Sequence, residues 1–594
     1  MSVREQLDSI AEKRILILDG AMGSMIQALN LDEDDFRGSV FAGHPTSLKG
    51  CNDLLCLTKP EAIGSIHNAY LEAGADIIET CSFNSNSVSL SDYGLETLSY
   101  KISAAAAGIA RASADKFSVS GKPCFVAGSI GPTAKGASLY PDINDPSKRS
   151  ISWDELEAAY YDNARGLLDG GADILLIETI FDTLNAKAAL FAVSRLLEER
   201  RTAVPVMLSA TVSGESGRLL SGQTLTAFCV SVLHAKPWAI GLNCSSGAEM
   251  LLPHIRLLSE IAPCLVSAYP NAGLPNRYGA YEETPETMSA HIETYLKDGL
   301  VNIVGGCCGS TPAHIASIAA KAAAFTSRRL NSAPRCGHFS GLEPLAAGDG
   351  IVHIGAASAD KSNELQSLIS KGEYEDAADT ARDMVEAGAS IIAVETDNEN
   401  SLSEFLDYAL LDPYAAKAPF MITSPNRSVL ETGLKRLQGR CLAGPVNLKN
   451  GDSEFIAMAE LISHYGAAAV VTLIDEQGQA VSCERGIEIA GRAYKLLQEN
   501  NHPVENIVIA PSTPAGNSSG DQDAVCSWIR ENCPGVIVGS CFLCPQSQTH
   551  TFNRIAMRSY QFLSAGVNHQ VHFFQGKDAH ENLWQTGDCY GTHN

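Results

Sequence analysis

The 594-residue chain has no run of 18 or more apolar residues, and residues 1–14 lack the short apolar stretch of a signal peptide. We therefore predict neither a membrane span nor a secretory leader, and we expect a cytoplasmic protein. Basic residues are also scarce, since 43 Lys and Arg stand against 68 Asp and Glu, giving a net charge of −25. This acidity argues against nucleic acid or an anionic membrane as the partner.

Cys-x-x-Cys pairs, which are typical of closed structural zinc sites, are absent around Cys244, Cys307 and Cys308. These three cysteines stand in two glycine-lined turns, each just after an apolar run. Three thiolates with one open position suit a zinc ion that activates an incoming thiol, whereas water-activating zinc sites usually have His ligands. The alternative is that free cysteines are small buried hydrophobes, as we expect for Cys124 and Cys229.

Short apolar runs alternate with longer amphipathic stretches along both halves of the chain, which predicts repeated βα units. Eight such units in succession predict a closed barrel. The predicted strands are 15–18, 77–80, 125–129, 174–178, 206–210, 239–243, 264–268 and 302–305, and then 351–355, 391–395, 420–423, 442–446, 470–474, 507–510, 536–539 and 570–574. The predicted fold class is therefore α/β, with two consecutive (β/α)8 TIM barrels.

A composition change in the middle of the chain predicts a domain boundary. Residues 326–349 lose the helical and strand periodicity and gather Gly, Pro, Ser and Ala, as linkers do. We therefore predict one barrel over residues 1–325, a linker over 326–349 and a second barrel over 350–594. Whether the chain is a piece of a longer polypeptide is left open.

Several polar side chains of the first half fall at the carboxyl ends of predicted strands, the end at which such barrels carry their chemistry. Besides the three cysteines, they are Asp19, Glu79, Glu178 and Asn243. An amino-acid thiol carries an ammonium group, which Asp19 and Glu178 are placed to bind. Glu79 is the less favoured contact of the three carboxylates.

A glycine-rich turn, Gly20-Ala21-Met22-Gly23, follows Asp19 directly. Successive backbone N–H groups in such a turn bind anions, so Gly20 and Met22 are predicted to contact the substrate carboxylate. The alternative for Asp19 is a purely local role, because Asp-Gly is a common turn-forming pair.

The motifs are LDGAMG at 18–23, DIIET at 76–80, LLIET at 175–179, GLNC at 241–244, YPNAG at 269–273 and GGCCG at 305–309. Together they resemble the homocysteine module of the cobalamin-dependent methionine synthase family, over nearly all of residues 10–325. The resemblance implies a (β/α)8 barrel in which the three cysteines hold Zn²⁺ and zinc holds the homocysteine thiolate. We place Asn243 among the substrate contacts. The module also occurs in betaine-, S-methylmethionine- and selenocysteine-type methyltransferases, and the stretches at 181–183 and 221–224 favour the cobalamin branch.

In that family the second barrel binds methyltetrahydrofolate, and residues 351–575 resemble it in outline. The family's pterin-gripping polar residues are mostly replaced, for example by Ala393, Gly444 and Ser512, while Asp397 and Asp475 are retained. Each hydrogen bond lost to a buried polar group costs about 1–3 kcal/mol. We expect this barrel to fold without binding methyltetrahydrofolate, the alternative being that compensating residues rebuild the pocket.

The cobalt-ligating motif of the family, Asp-x-His-x-x-Gly, has only a partial counterpart at Asp578-Ala579-His580, with Leu583 in place of the glycine. We therefore expect a zinc-dependent homocysteine S-methyltransferase that forms methionine with a methyl group from methylcobalamin or a separate corrinoid protein. Two alternatives stay open. One is an enzyme that uses a sulfonium or betaine donor directly, and the other is a non-catalytic protein that binds homocysteine or a corrinoid carrier.

Overall fold

A computed structural model describes residues 2–542 except 120–121, 143–144, 146–147, 331–338, 346–350, 354–358 and 514–518, together with two short strands beyond 542. The chain divides into two compact units, Met1–Leu139 with Arg149–Cys336 and Tyr140–Lys148 with Gly337–Asn594. The division after Cys336 falls inside the predicted linker, and the domain boundaries predicted at either end of that linker stay a prediction. The motif at Asp578 lies outside the described residues.

The first unit is a parallel eight-stranded barrel with helices between the strands. Its strands are β1 (Leu16–Ile17), β2 (Ile77–Glu79), β3 (Phe125–Ile130), β4 (Ile174–Ile180), β5 (Val206–Ala210), β6 (Ala239–Gly247), β7 (Leu265–Asn271) and β8 (Ile303–Val304). They are hydrogen-bonded in the order β1-β8-β7-β6-β5-β4-β3-β2, and Leu18 pairs with Ile77 to close the ring. All eight predicted strands of this half are confirmed.

The helices of the first unit follow the strands in alternation, as the sequence predicts. They are α1 (Val3–Ala11), α2 (Met22–Ala28), α3 (Glu33–Arg37), α4 (Leu55–Thr58), α5 (Pro60–Glu72), α6 (Ser87–Leu90), α7 (Ser99–Phe117), α8 (Trp153–Asp169), α9 (Thr183–Arg200), α10 (Leu225–Val232), α11 (Ala248–Ile261), α12 (Pro285–Lys297) and α13 (Pro312–Ala322). Helix α8 begins with a capping box between Ser152 and Glu155. Such reciprocal bonds satisfy N–H groups that the helix leaves unpaired and so fix where it begins.

The amino-terminal end of the barrel is filled by apolar side chains and closed by α1. Leu7 and Ala11 of α1 pack in one buried cluster with Leu16, Trp238 and other residues at the starts of strands. The Trp238 indole N–H donates to Asp8 at 2.8 Å. With this end sealed by hydrophobic packing, the polar side chains are left at the carboxyl end.

The second unit repeats the parallel βα plan. Its strands are β9 (Ile351–His353), β10 (Ile392–Glu395), β11 (Phe420–Thr423), β12 (Leu442–Leu448), β13 (Ala468–Asp475), β14 (Gly478–Gln479), β15 (Ile507–Ala510), β16 (Ser512–Thr513), β17 (Ile537–Val538), β18 (Ser540–Phe542), β19 (Ile555–Ala556) and β20 (Gln570–His572). Six of them form a parallel sheet in the order β10-β11-β12-β13-β15-β17, and β9 pairs with β20 in parallel. These are the eight predicted strands, and the fold class of two (β/α)8 barrels is confirmed.

The helices of the second unit are α14 (Ala359–Lys371), α15 (Tyr374–Glu386), α16 (Glu399–Ala409), α17 (Arg427–Leu434), α18 (Asp452–His464), α19 (Cys483–Glu499) and α20 (Ser519–Asn532). The core of this unit includes Phe339, which lies in the predicted linker and is 2% exposed. Among the helices described in either unit, none combines the length and apolarity that a membrane crossing requires.

Arg328 ties the end of the first unit to its barrel. Its guanidinium donates to the carbonyl oxygens of Ser259, Ala262 and Cys264 at 2.6–3.0 Å and to Ser259 Oγ at 2.9 Å, and the residue is 6% exposed. The contacts of the first unit therefore continue past residue 325.

We expect Arg328→Ala to destabilise the first unit by about 2–4 kcal/mol, because it leaves several buried carbonyl groups without their charged donor. The measurement is thermal unfolding followed by circular dichroism. The neighbouring Arg329 is exposed, so Arg329→Ala is the matched control and is expected to unfold like the wild type. Equal unfolding of the two variants would contradict this role.

Candidate metal and substrate site

Cys244 leaves the regular strand geometry at the end of β6. The pairing of β6 with β7 shifts register between Asn243 and Gly247. Within that irregularity Cys244 and Ser245 have φ of 58° and 56°. Residues other than glycine seldom adopt this left-handed conformation, and it is concentrated at functional sites. The bulge turns the Cys244 side chain out of the strand ladder at the rim of the barrel.

Cys307 and Cys308 lie in a tight turn directly after β8. The Cys307 N–H donates to the Pro270 carbonyl at 2.7 Å, and Ser310 Oγ donates to the Cys307 carbonyl at 2.7 Å. Gly309 has φ of +80°, and a Cβ at this position would lie 2.3 Å from Cβ of Tyr281. The glycine beside the two cysteines is thus required by both conformation and space.

The two turns bring the three predicted ligand residues together. The Sγ atoms of Cys244, Cys307 and Cys308 lie within 4.8 Å of one another, and those of Cys244 and Cys308 are 4.0 Å apart. Zn–S bonds of about 2.3 Å at tetrahedral angles separate two sulfurs by about 3.8 Å. The spacing therefore fits a zinc ion. Zinc ligation by these residues stays a prediction.

Hydrogen bonds to Cys244 favour its thiolate. The thiols of Cys307 and Cys308 donate to it, and the Ser245 N–H and the Asn271 side chain add further donors, so the pKa of Cys244 lies below its ordinary value. The pKa of Cys307 is raised, because its proton is shared with the other two thiols and it is buried. The cluster thus already holds one readily ionised sulfur, as a metal ligand must be.

Three carboxyl groups, of Asp19, Glu79 and Glu178, lie at the same rim. Asp19 is 2% exposed, and its Oδ2 accepts the Glu79 N–H at 3.1 Å. Glu178 is 4% exposed and accepts hydrogen bonds from Ser129 Oγ and from the Tyr269 hydroxyl at 3.4 Å. The structure thus brings the two predicted ammonium-binding residues to one pocket.

Burial and mutual repulsion act on these carboxyl groups. Burial raises the pKa of Glu178 to about 7. Burial raises the pKa of Asp19 and of Glu79 as well, and each is raised further by the charge of Glu178. Asp19 Oδ1 and Glu79 Oε1 are enclosed without a hydrogen-bond partner. Such a pocket is complementary to a cation that donates hydrogen bonds.

The Gly20 turn lies between Asp19 and the first residue of α2. A Cβ on Gly20 would lie 2.7 Å from Ser310 Oγ and 2.8 Å from the Tyr70 ring, so only glycine fits here. The Ala21 N–H already donates to Ser310 Oγ at 3.1 Å. The N–H groups of Met22 and Gly23 begin α2, where an α-helix supplies no acceptor of its own. They are donors that this turn offers to a carboxylate, and the predicted contacts of Gly20 and Met22 with the substrate stay predictions.

Asn243 is fully buried and its amide is engaged by the protein. Its Oδ1 accepts from the Thr179 N–H at 3.1 Å and from Ser209 Oγ at 2.7 Å, and its Nδ2 donates to Thr179 Oγ1 at 2.8 Å. Nδ2 also lies 3.9 Å from Cys307 Sγ. These bonds tie β4, β5 and β6 together beside the cysteines. The predicted contact of Asn243 with substrate stays a prediction.

Four further site residues escaped the sequence reasoning. Ser129 stands near the carboxyl end of β3. It is a polar residue at a strand end, like Asp19 and Glu178, and this position was the signal that could have identified it. Tyr269 and Asn271 lie inside the YPNAG motif, which by itself indicates no role for them. Burial and the charge of Cys308 raise the pKa of Tyr281. Tyr281 comes from the loop before α12, and no pattern in the sequence indicates its approach to the thiols.

A cavity of about 340 Å³ lies beside this site, between the loops that follow β1, β2 and β3. Its wall includes Asn52, whose amide lies 3.8 Å from the position of a Cβ on Gly23. Asp53 is 4% exposed, accepts the Asn84 N–H at 2.6 Å, and has a pKa raised by burial to about 6. The described lining contains no Lys or Arg and comprises Gly50, Cys51, Asn52, Asp53, Asn84, Ser89, Leu90, Asp92, Tyr93, Pro132, Thr133 and Ala134.

In the second unit, the two retained acidic residues are engaged by the unit itself. Asp475 is 4% exposed, forms an ion pair with Arg485, and accepts the Gln477 N–H at 3.0 Å. Asp397 is exposed and accepts from Ser424 Oγ at 2.9 Å. Neither is an unpaired buried acceptor of the kind found in the first unit.

Comparison with solved structures finds the homocysteine methyltransferase MmuM from Escherichia coli in its metallated form, with 24% identity over 54% of this chain and 99% of that chain, at a TM-score of 0.41. Its apo form matches with 23% identity over the same shares, at a TM-score of 0.39. The carboxyl transferase domain of Rhizobium etli pyruvate carboxylase, with pyruvate and biocytin, matches with 15% identity over 56% of this chain and 53% of that chain, at 0.29.

Comparison with family models gives two matches. The model described as pterin binding enzyme matches residues 361–513 in the second unit. The model described as homocysteine S-methyltransferase matches residues 16–322, which is more than half of the chain and contains the three cysteines and three carboxylates. This family is in general zinc-dependent. The protein is therefore a methyltransferase that belongs to the homocysteine S-methyltransferase family.

Proposed function

We propose that the first unit methylates the sulfur of homocysteine to form methionine. The observation that carries this proposal is the pairing of two features in one rim, three thiols within 4.8 Å and a carboxylate pocket with unpaired buried oxygens. The thiols suit a metal that binds sulfur, and the carboxylates suit an ammonium group. Homocysteine carries both groups on one short chain.

Cys244, Cys307 and Cys308 would hold Zn²⁺, and their spacing fits its bond lengths. Bound zinc would keep the homocysteine thiol ionised at neutral pH while leaving its sulfur nucleophilic. With the thiol ionised, the attack on the methyl group needs no general base. The new bond joins sulfur to the methyl carbon, and the bond between that carbon and the donor breaks.

The protein's own groups would fix the amino-acid end of the substrate. Asp19 and Glu178 bind the ammonium, and Glu178 is held in place by Ser129 and Tyr269. The backbone N–H groups of the glycine-rich turn, at Gly20, Met22 and Gly23, bind the carboxylate. Because the ammonium and the carboxylate are both held, the sulfur has one fixed orientation in the site. Such orientation lowers the entropic part of the activation barrier.

For the methyl donor we propose methylcobalamin or a separate corrinoid protein, and within the family we place the chain with the cobalamin-dependent methionine synthases. Support comes from the second unit, where Ala393 and Gly444 stand at positions that carry polar pterin contacts in the family that the chain resembles, and where Asp475 is paired with Arg485. We also propose a cytoplasmic location and the organisation of a barrel over 1–325, a linker over 326–349 and a barrel over 350–594.

A second candidate donor is a small organic cation such as a sulfonium or betaine. The cavity beside the site favours it, because Asp53 and Asp92 line a space of about 340 Å³ without a basic side chain among its described lining. Carboxylates and the Tyr93 ring are groups that attract an organic cation. In this case the donor would bind next to the homocysteine pocket and transfer its methyl group directly.

We expect the protein to bind about one zinc ion per chain, and Cys308→Ser to lose most of it, because a neutral hydroxyl replaces a thiolate ligand. The measurement is metal content by atomic emission after dialysis against a weak chelator. Cys264→Ser changes a thiol of the same unit outside the cluster, and this control should retain its zinc. Full zinc retention by Cys308→Ser would rule out the assigned ligand set.

We expect the zinc-loaded protein to form methionine from homocysteine with methylcobalamin, and not with methyltetrahydrofolate plus cobalamin. The physical reason is the loss of polar pterin contacts from the second unit, each worth about 1–3 kcal/mol. The measurement is methionine formation by chromatography, with S-methylmethionine and betaine in parallel reactions. Turnover with either cation alone, lowered by Asp53→Asn, would establish the second candidate, and folate-driven turnover would overturn our account of the second unit.

A further inference from the structure

We propose that Glu79 is a third substrate-binding carboxylate, which contacts the ammonium group together with Asp19 and Glu178 and makes the site select thiols that carry one. This inference rests on the proposed function, because it assumes that homocysteine is the thiol substrate. It assigns to Glu79 a role that its position in the sequence alone did not favour.

The backbone places Glu79 against Asp19. Glu79 is the last residue of β2, and its N–H donates to Asp19 Oδ2 at 3.1 Å. Strand β2 closes the barrel against β1, because Ile77 pairs with Leu18, the residue before Asp19. The two carboxyl groups therefore leave neighbouring strands at the same height of the rim.

Two oxygens of this pair have no donor from the protein. Asp19 Oδ1 and Glu79 Oε1 are both enclosed and unbonded, and Asp19 is 2% exposed as a whole. An unpaired buried acceptor is costly and rare in folded proteins. Glu178 differs, because its two oxygens accept from Ser129 and Tyr269. The open acceptors of the pocket thus belong to Asp19 and Glu79.

The charged groups that act on Glu79 are negative, like Glu79 itself. They are the carboxyl groups of Glu178 and Asp19, and they reinforce the effect of burial. The phenols of Tyr70 and Tyr269 also lie within reach of its charge, and both are neutral at physiological pH. Among the described residues, no cationic group acts on Glu79. An ammonium has three N–H donors and one positive charge. It can therefore donate hydrogen bonds to the unpaired oxygens and also reduce the repulsion among the carboxyl groups.

This arrangement predicts that the site binds homocysteine and discriminates against thiols that lack an amino group. A site built to bond a polar group rejects an analogue that lacks the group, since its buried acceptors are then left unpaired. The informative analogue is 4-mercaptobutyrate, which keeps the thiol, the carboxylate and the chain length of homocysteine and lacks only the amino group. Glu79 should contribute to the binding of homocysteine and not to that of the analogue.

The test is Glu79→Gln, which keeps the shape of the side chain and removes its charge. Calorimetric titration of the zinc-loaded full chain measures the Kd of each thiol. We expect the Kd of homocysteine to rise about 10- to 100-fold, as for loss of a charged hydrogen bond. The Kd of 4-mercaptobutyrate should stay unchanged or fall. Glu72→Gln, at the exposed end of α5, is the matched control and should bind both thiols like the wild type.

Thermal unfolding without ligand separates binding from a structural role. If Glu79 binds substrate, Glu79→Gln should melt at the wild-type temperature or above it, because repulsion among the carboxyl groups is relieved. A structural role would lower the melting temperature and leave the Kd of homocysteine unchanged, which would overturn the inference. Glu79→Asp, which keeps the charge on a shorter chain, should recover part of the affinity, and failure to exceed Glu79→Gln would count against a charge contact.

The two proposals fail in different ways. If the wild type binds homocysteine and Glu79→Gln binds it equally well, only the role of Glu79 is overturned. If the zinc-loaded wild type binds homocysteine no better than 4-mercaptobutyrate, the ammonium pocket itself is overturned. If it binds neither thiol, the proposed function falls and the inference falls with it.

Discussion

Parallel pairing of eight strands around a closed ring is the constraint on which the site depends. Because every strand runs in the same direction, every carboxyl end reaches one rim, and residues as distant in sequence as Asp19 and Cys308 become neighbours. The opposite end is sealed by α1 and the apolar cluster around Leu7 and Trp238. The barrel can therefore concentrate polar groups at one end while its stability comes from hydrophobic packing at the other and from the helices around it.

The local features of the rim depart from the geometry that stabilises the rest of the barrel. Cys244 and Thr179 have positive φ, and the strands that carry them shift register next to these residues. Nearby, three carboxyl groups lie close together with two unpaired oxygens. Bulges, strained residues and buried like charges all cost stability, and they gather where a ligand would offset the cost. The Asn243 network holds this arrangement, since it bonds to two neighbouring strands beside Cys307.

The second unit has the packed core of a parallel βα fold. Its core includes Ile391, Met421, Leu442 and Val508, and its strands have the near-continuous apolar runs that a parallel sheet covered on both faces requires. The family model for pterin binding enzymes still matches it over 361–513. Ligand recognition rests on a few polar side chains at strand ends, and these can change without disturbing the packing. Asp475 lies at the end of β13, and its carboxylate is paired with Arg485.

The sequence by itself determined the fold class and the strands of both barrels, and it predicted most of the residues of the candidate site. Apolar periodicity marks buried strands, and glycines beside cysteines mark turns at their ends, so Cys244, Cys307 and Cys308 could be grouped before any distance was known. Only the tertiary structure decided which groups are free to bind. Three results follow from side-chain packing between distant segments. The Asn243 amide is already hydrogen-bonded within the protein, Asp19 and Glu79 each keep an unpaired oxygen, and Tyr281 lies close to Cys308. Hydrogen-bond satisfaction depends on all neighbours at once, and no local pattern of residues records it.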